Sequence, residues 1–180
     1  GHPTNHDGLP GINISSGSLG QGLSVGVGVA LSKKINQDNS TVFVLTGDGE
    51  LQEGQNWEAF MFASAKKVDN IIVTVDLNGQ QIDGSTKDVL DLGNLKLKLE
   101  AFGWKVFEIY NGNSLEEIYS IMIEAKNNLG KGSPILILMK TIMGNGVDFM
   151  MNTHKWHGVA PNDHELEIAL NQNPETLGDY

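Results

Sequence analysis

The chain has 180 residues, 39% of them apolar, which is enough for one domain with a single core and leaves no room for a second. Twelve basic against twenty-two acidic residues give a net charge of −10, and the basic residues are scattered; this argues against nucleic acid or an anionic membrane as partner and leaves any anionic ligand to dipoles, a metal or histidine. The absence of cysteine excludes disulfides, thiolate zinc sites and cysteine nucleophiles and suits a cytoplasmic location, while no stretch approaches the roughly 18 apolar residues of a membrane span. Gly1 stands where an initiator Met would, which points to a processed or trimmed chain.

From Gly1 to Gly17 glycine, proline and small polar residues predict a loop that other elements must hold. Leu19, Leu23, Val27, Ala30 and Leu31 then recur at helical spacing, predicting a helix to Ile35. Gly20, Gly22, Gly26 and Gly28 are interleaved with them. Each interior glycine costs a helix about 1 kcal/mol, so such a density signals a close approach to another element or to a ligand. Val42 to Leu45 reads as a strand, Glu53 to Lys67 as a helix and Ile71 to Leu77 as a second strand. A loop is expected from Asn78 to Leu92, followed by a helix to about Phe102. Trp104 to Tyr110 reads as strand, Leu115 to Asn127 as helix and Pro134 to Lys140 as strand. Thr141 to Asn162 reads as a long loop and Asp163 to Asn171 as a last helix, capped by Asn162 or Asp163. Strands separated by helices of these lengths predict an α/β fold: an open, mostly parallel sheet with helices on both faces. The apolar runs lack alternation, as strands buried on both faces should.

In such sheets ligands bind beyond the carboxyl ends of the strands. Asp48 stands at that end of one strand and Asn78, thirty positions later, at that end of the next, with a single crossover between them. A carboxylate oxygen, an amide oxygen and a nearby carbonyl are hard donors that suit Mg²⁺ or Ca²⁺ when a substrate supplies phosphate oxygens. Gly47 and Gly49 would let backbone approach a diphosphate, and the helix that follows offers it free N–H groups. A plain strand-to-helix turn capped by Asp48, with Asn78-Gly79 as an ordinary turn, is the competing reading of the same letters. A dinucleotide-binding domain is disfavoured, because no G-x-G-x-x-G follows the first strand.

The stretch GDGELQEGQNWEAFMFASAKKVDNIIVTVDLNGQQIDG resembles the thiamine diphosphate motif, which runs from Gly-Asp-Gly to an Asn about thirty residues on. GHPTNHDGLPGINISSGSLGQGLSVGVGVAL and KTIMGNGVDFMMNTHKWHGVAPND resemble two further segments of the transketolase family, in the right order, so the likeness covers Gly1 to about Asn171. It is nearest in style to the amino-terminal subunit of transketolases split into two chains. The deoxyxylulose phosphate synthases share the fold, but GSLGQGLS and LQEGQNWEA favour transketolase. The alpha chains of 2-oxo acid dehydrogenases lack the Gly-His-Pro and Trp-His-Gly segments.

The resemblance implies that Asp48 and Asn78 ligate Mg²⁺, or Ca²⁺, through their side chains and Gln80 through its carbonyl. It implies cofactor contacts from Gly17, Ser18, Leu19, Gly49, Glu50, Asn78 and His157. Ser18 stands where the family has Pro, which loosens that loop. Glu53 and Glu58 would lie at a subunit interface that links two active sites, where burial would raise their pKa; the start of a solvated amphipathic helix is the alternative. His2 would sit near the donor sugar's reactive end and His157 near diphosphate and substrate. His154 and His157 form an H-x-x-H pair in a loop with no third ligand nearby, which argues against zinc.

The family's activating glutamate belongs to a pyrimidine-binding domain for which this chain is too short, and the family has a further segment ahead of the Gly-His-Pro. Residues 1–180 are therefore expected to form a single, partial domain that binds thiamine diphosphate and Mg²⁺, with some core surface exposed and little turnover alone. The implied partner is a pyrimidine-binding C-terminal subunit, in a homo- or hetero-oligomer. The implied reaction acts on sugar phosphates of the pentose phosphate pathway: the C2–C3 bond of a ketose phosphate breaks, and the two-carbon unit passes to an aldose phosphate. A truncated, non-catalytic transketolase-like binding module is the alternative from another class.

Overall fold

The computed structural model describes residues 10–174. Helix α1 (Gln21–Ile35) precedes strand β1 (Val42–Gly47), a 3₁₀ turn (Gly49–Gln52) and helix α2 (Gly54–Ala65). Strand β2 (Ile71–Leu77) leads into a small hairpin of β3 (Gln80–Gln81) and β4 (Gly84–Ser85), and then the short helix α3 (Thr86–Leu90). Helix α4 (Leu95–Ala101), strand β5 (Lys105–Ile109), helix α5 (Leu115–Lys126) and strand β6 (Ile135–Lys140) complete the sheet. A 3₁₀ turn (His154–Trp156) and helix α6 (Asp163–Gln172) follow. Among the described residues no helix is long and apolar enough to cross a membrane.

The main sheet has the order β1-β2-β6-β5, and every pairing in it is parallel. The crossovers explain which helix covers which face. From β1 to β2 and from β2 to β5 the chain moves in one direction, and α2 and α4 pack with α1 on a single face. From β5 to β6 it moves back, and α5 lies on the other face. Crossovers of one hand require that switch. The larger core joins Leu23 and Val27 of α1, Phe60 and Ala63 of α2, and Leu99 of α4 to Ile71, Val73, Val75, Leu136 and Leu138 of the sheet. The smaller joins Ala125 of α5 to Ile72, Ile135, Ile137, Phe107 and Ile109.

Strands β2 and β6 are buried on both faces along most of their length, as their unbroken apolar runs predict. Strand β1 departs from that expectation. It is an edge strand, and Phe43 and Leu45, in register with Ile72 and Thr74, are 56% and 71% exposed on the α5 side, which α5 does not reach. The expected loop from Asn78 to Leu92 contains the β3–β4 hairpin and α3, elements too short to leave a period in the sequence. The helix expected from Glu53 starts at Gly54, preceded by the unanticipated 3₁₀ turn. Asn162 is the cap of α6, in a reciprocal box with Glu165.

Of the glycines in α1, Gly26 serves close packing: a Cβ there would overlap the Val44 Cγ2 methyl on β1, whereas Gly22 and Gly28 face open space. Gly26→Ala is expected to destabilise by about 1–3 kcal/mol through overpacking, less up to about 1 kcal/mol of regained helix propensity. Val44→Ala in the same chain should restore most of the loss, as read by urea denaturation midpoints.

Candidate functional site

Gly47 at the end of β1 lies in register with Asp76 of β2, so residues 48 and 78 leave the sheet side by side. Asp48 is 3% exposed. One carboxylate oxygen accepts from Gly49 N (2.8 Å), which caps the 3₁₀ turn, and the other accepts from Gly79 N (2.7 Å) across the strand gap. The capping expected of an ordinary turn is therefore present, but it occupies only one oxygen. Burial pushes the Asp48 carboxyl above its usual range, opposed by the Gly79 and Gly49 amides and reinforced by the neighbouring Asp76 charge.

Asn78 is half-buried on the adjoining turn. Its Oδ1 accepts from Gln80 N (2.8 Å), and its Nδ2 donates to Asp76 Oδ2 (3.0 Å). The other Asp76 oxygen accepts from Thr141 Oγ1, just beyond β6, so the ends of the two central strands are joined by a side-chain chain. Gly79, at φ 75°, makes the turn possible. A Cβ on Gly49 would come within 2.9 Å of Gln81 Cβ, so the backbone there is close to the hairpin. Helix α3, which follows the hairpin, is tied to the 3₁₀ turn by Gln52, whose amide donates to Thr86 O and Leu90 O.

Glu50 points inward. Its carboxylate accepts from Gly20 N (2.9 Å) and Gly47 N (3.2 Å), and so fastens the start of α1 to the end of β1. Gly17, Ser18 and Leu19 are exposed on the loop just before that anchor. Glu53, the N-cap of α2, and Glu58, within that helix, are both exposed. His157, exposed after the second 3₁₀ turn, makes no side-chain hydrogen bond among the described residues. Its segment is braced by Trp156, which donates to Phe149 O and meets the Phe149 ring edge-on at 5.3 Å. His2 lies outside the described residues.

The structure thus gathers Asp48, Gly49, Glu50, Asn78 and Gln80 around one pair of strand ends and attaches the Gly17–Leu19 loop through Glu50. Sequence reasoning missed Asp76 and Thr141. A signal was available: a carboxylate near the end of an apolar strand must be bonded to persist there.

A hard cation fits this turn. Asp48 is a buried carboxylate with no cationic partner among its hydrogen bonds, a state that is costly unless a positive charge joins it. Among the described residues no three His, Cys, Asp or Glu side chains converge on a metal site. The donor set on offer is one carboxylate with amide and carbonyl oxygens, the kind Mg²⁺ takes when phosphate completes its shell.

Fold and turn together define a parallel α/β domain that presents a carboxylate, an amide and close-approach glycine backbone at adjacent strand ends. A family model described as "Transketolase, thiamine diphosphate binding domain" matches residues 1–174, and the chain belongs to that family. It is 39% identical over 172 residues to an apulose-4-phosphate transketolase subunit of Actinobacillus succinogenes, covering 96% of this chain and 60% of that protein. Over 139 residues it is 44% identical to the 6-deoxy-6-sulfo-D-fructose transketolase subunit SqwG of a Clostridium species, covering 77% of this chain and 50% of that one. The crystal structure of transketolase from Campylobacter jejuni superposes with a TM-score of 0.81 at 33% identity, over 92% of this chain and 27% of that one. The chain therefore spans between half and three fifths of the subunit relatives it matches, and about a quarter of the longer enzyme.

Proposed function

We propose that the chain is the diphosphate- and metal-binding part of a transketolase, moving a two-carbon ketol unit from a ketose phosphate to an aldose phosphate when a pyrimidine-binding partner chain completes it. The observation that carries this reading is the buried Asp48 carboxylate, bonded across the strand gap to the turn that holds Asn78, in a chain of the transketolase family. Residues 1–180 would form this one domain, with a cytoplasmic place in carbohydrate metabolism.

Asp48 and Asn78 would hold Mg²⁺ by side-chain oxygens and Gln80 by its carbonyl, Ca²⁺ being the other hard cation the set admits. Gly49 and Glu50 would lie along the diphosphate, with Glu50 acting through the backbone it ties down. Gly17, Ser18 and Leu19 would meet the cofactor rings. His2 and His157 would donate hydrogen bonds to substrate oxygens as charge develops on them. Bound thiamine diphosphate supplies the carbanion chemistry; this chain's share is to hold and orient the group. A partner is supported by the names of the relatives, which are subunits, and by α2, where Glu58 is exposed one turn from the exposed Met61 and Phe62, and the N-cap Glu53 is exposed as well.

The test is calorimetric titration of thiamine diphosphate with Mg²⁺ into this chain and into Asp48→Ala, each with and without EDTA. Saturable binding that EDTA and the substitution both abolish is the expected result. A wild-type chain that is folded by circular dichroism and binds nothing would overturn the reading and favour a non-catalytic module.

A further inference from the structure

Asn78 offers a cation two different faces, an oxygen that would bind it and an NH₂ that would repel it, and something must choose between them. Two groups in the structure do. Gln80 N–H can only donate, so it selects the amide oxygen, at 2.8 Å. The Asp76 carboxylate can only accept, so it selects the NH₂, at 3.0 Å. A flipped amide would set N–H against N–H and oxygen against carboxylate. With the NH₂ committed to Asp76, the second lone pair of Asn78 Oδ1 remains for a ligand on the side of Asp48, whose own oxygen bonds the next residue of the same turn.

Asp76 is itself held. Thr141 Oγ1 donates to its second oxygen, and Thr141 N donates to Leu77 O at 3.3 Å, so the residue after β6 grips the end of β2 by side chain and backbone. With its two oxygens bonded to Asn78 and Thr141, Asp76 acts on the site through the amide it holds. Its negative charge lies close enough to Asp48 to act on it, which adds to the demand for a cation between the strand ends.

We propose that Asp76, clamped by Thr141, is the positioning residue of the candidate metal site, holding the Asn78 amide with its oxygen toward the cation. This rests on the reading of Asp48 and Asn78 as metal ligands. Partners that orient a ligand from behind cost about 10–100-fold in metal affinity when removed.

The test uses Mn²⁺ as the probe, titrated into the full chain with thiamine diphosphate and followed by the paramagnetic resonance of free Mn²⁺. Nitrogen-15 spectra of the Asn78 side-chain amide provide a second readout that needs no metal, with Asn78→Asp identifying the signal. Asp76→Ala should weaken Mn²⁺ by about tenfold or more and move the Asn78 amide signals. Thr141→Val should do the same to a smaller degree. Asp76→Asn keeps an acceptor for the NH₂ but not the charge, so it should restore most of the affinity and leave the signals near their wild-type positions.

Affinity in Asp76→Asn as weak as in Asp76→Ala would make charge rather than orientation the cause and overturn the proposal. So would wild-type affinity and unmoved amide signals in a folded Asp76→Ala. A wild-type chain that binds no Mn²⁺ overturns the metal reading and this proposal with it, whereas failure confined to the Asp76 variants overturns the proposal alone.

Discussion

Acidification is expected to strip the cation and its cofactor from the chain at a higher pH than an ordinary aspartate would require. Burial, helped by the Asp76 charge, raises the Asp48 pKa above the usual 3.8, against the pull of two backbone amides. A cation needs the carboxylate, so below the raised pKa each binding event must expel one proton and affinity falls by about tenfold per pH unit. The metal-free chain responds in the opposite sense. A group whose folded pKa exceeds its unfolded one contributes stability that is complete below the unfolded value and lost as pH rises through the folded value. Raising the pH therefore removes the Asp48 contribution in EDTA, while it strengthens the chain loaded with Mg²⁺ and thiamine diphosphate, since ligand bound only to the native state stabilises it.

Thermal melts across a pH series under the two conditions, with proton release measured calorimetrically in buffers of different ionisation enthalpy, would show both trends. Asp48→Asn loses an acceptor for Gly49 or Gly79 N–H, which lowers stability by a constant amount of about 1–3 kcal/mol. It should also flatten the part of the pH dependence that Asp48 carries. An affinity unchanged with pH down to the ordinary aspartate range would dismiss the raised Asp48 pKa.

The largest loss of stability should come from Phe60→Ala. Phe60 is fully buried on α2 and meets the ring of Trp104 edge-on at 5.2 Å and that of Trp57 at 5.9 Å, while Trp57 meets Phe102 at 5.8 Å. Trp104 Nε1 also donates to the Phe60 carbonyl at 2.9 Å, which locks α2 to the start of β5. Removing the ring leaves a cavity beside two tryptophan rings and is expected to cost about 3–5 kcal/mol, a large part of the roughly 5–15 kcal/mol that holds a domain together. Urea denaturation should show a midpoint reduced in that proportion with an unchanged slope, and near-ultraviolet dichroism from the two tryptophans should weaken. Phe60→Leu should cost less than half as much. Because Trp57 also donates to Leu51 O in the 3₁₀ turn, loosening of this cluster should reach the turn that carries Asp48.

Much of this fold is readable in the sequence because its central strands are apolar runs separated by segments long enough for a crossover helix. The exceptions have physical causes. Strand β1 looks like its neighbours in composition, and nothing in Val42-Phe-Val-Leu tells that Phe43 and Leu45 stay exposed on one face of it. The hairpin of two-residue strands and the five-residue α3 are held by Gln52 and Gly79 rather than by any pattern of their own. At the site, the spacing of Asp48 and Asn78 together with the crossover rule predicts that they meet, and the register of β1 with β2 brings their turns together. The family resemblance singles out Glu50, but its role as an anchor is not legible in the sequence, because its partners Gly20 and Gly47 are backbone groups that no side-chain motif advertises. Asp76 was hidden as the penultimate residue of a largely apolar strand.

Strand order has a consequence for the way the chain is made. Among the described residues β5 pairs in the sheet with β6 alone, which is synthesised after it. A growing chain can pair β1 with β2 as soon as α2 has turned, bringing Asp48 to Gly79 over a separation of 31 residues. Lys105–Ile109 must then wait beside the ribosome for the strand that will sit between it and β2. Two strands alone make a marginal sheet, so the cooperative step comes with the arrival of β6, which closes the sheet from its middle. Thr141 follows immediately behind, and its bond to Asp76 spans 65 residues. Vectorial synthesis thus delivers Asp48 and Asn78 early, and the Thr141 bond that holds Asp76 only after the sheet has closed.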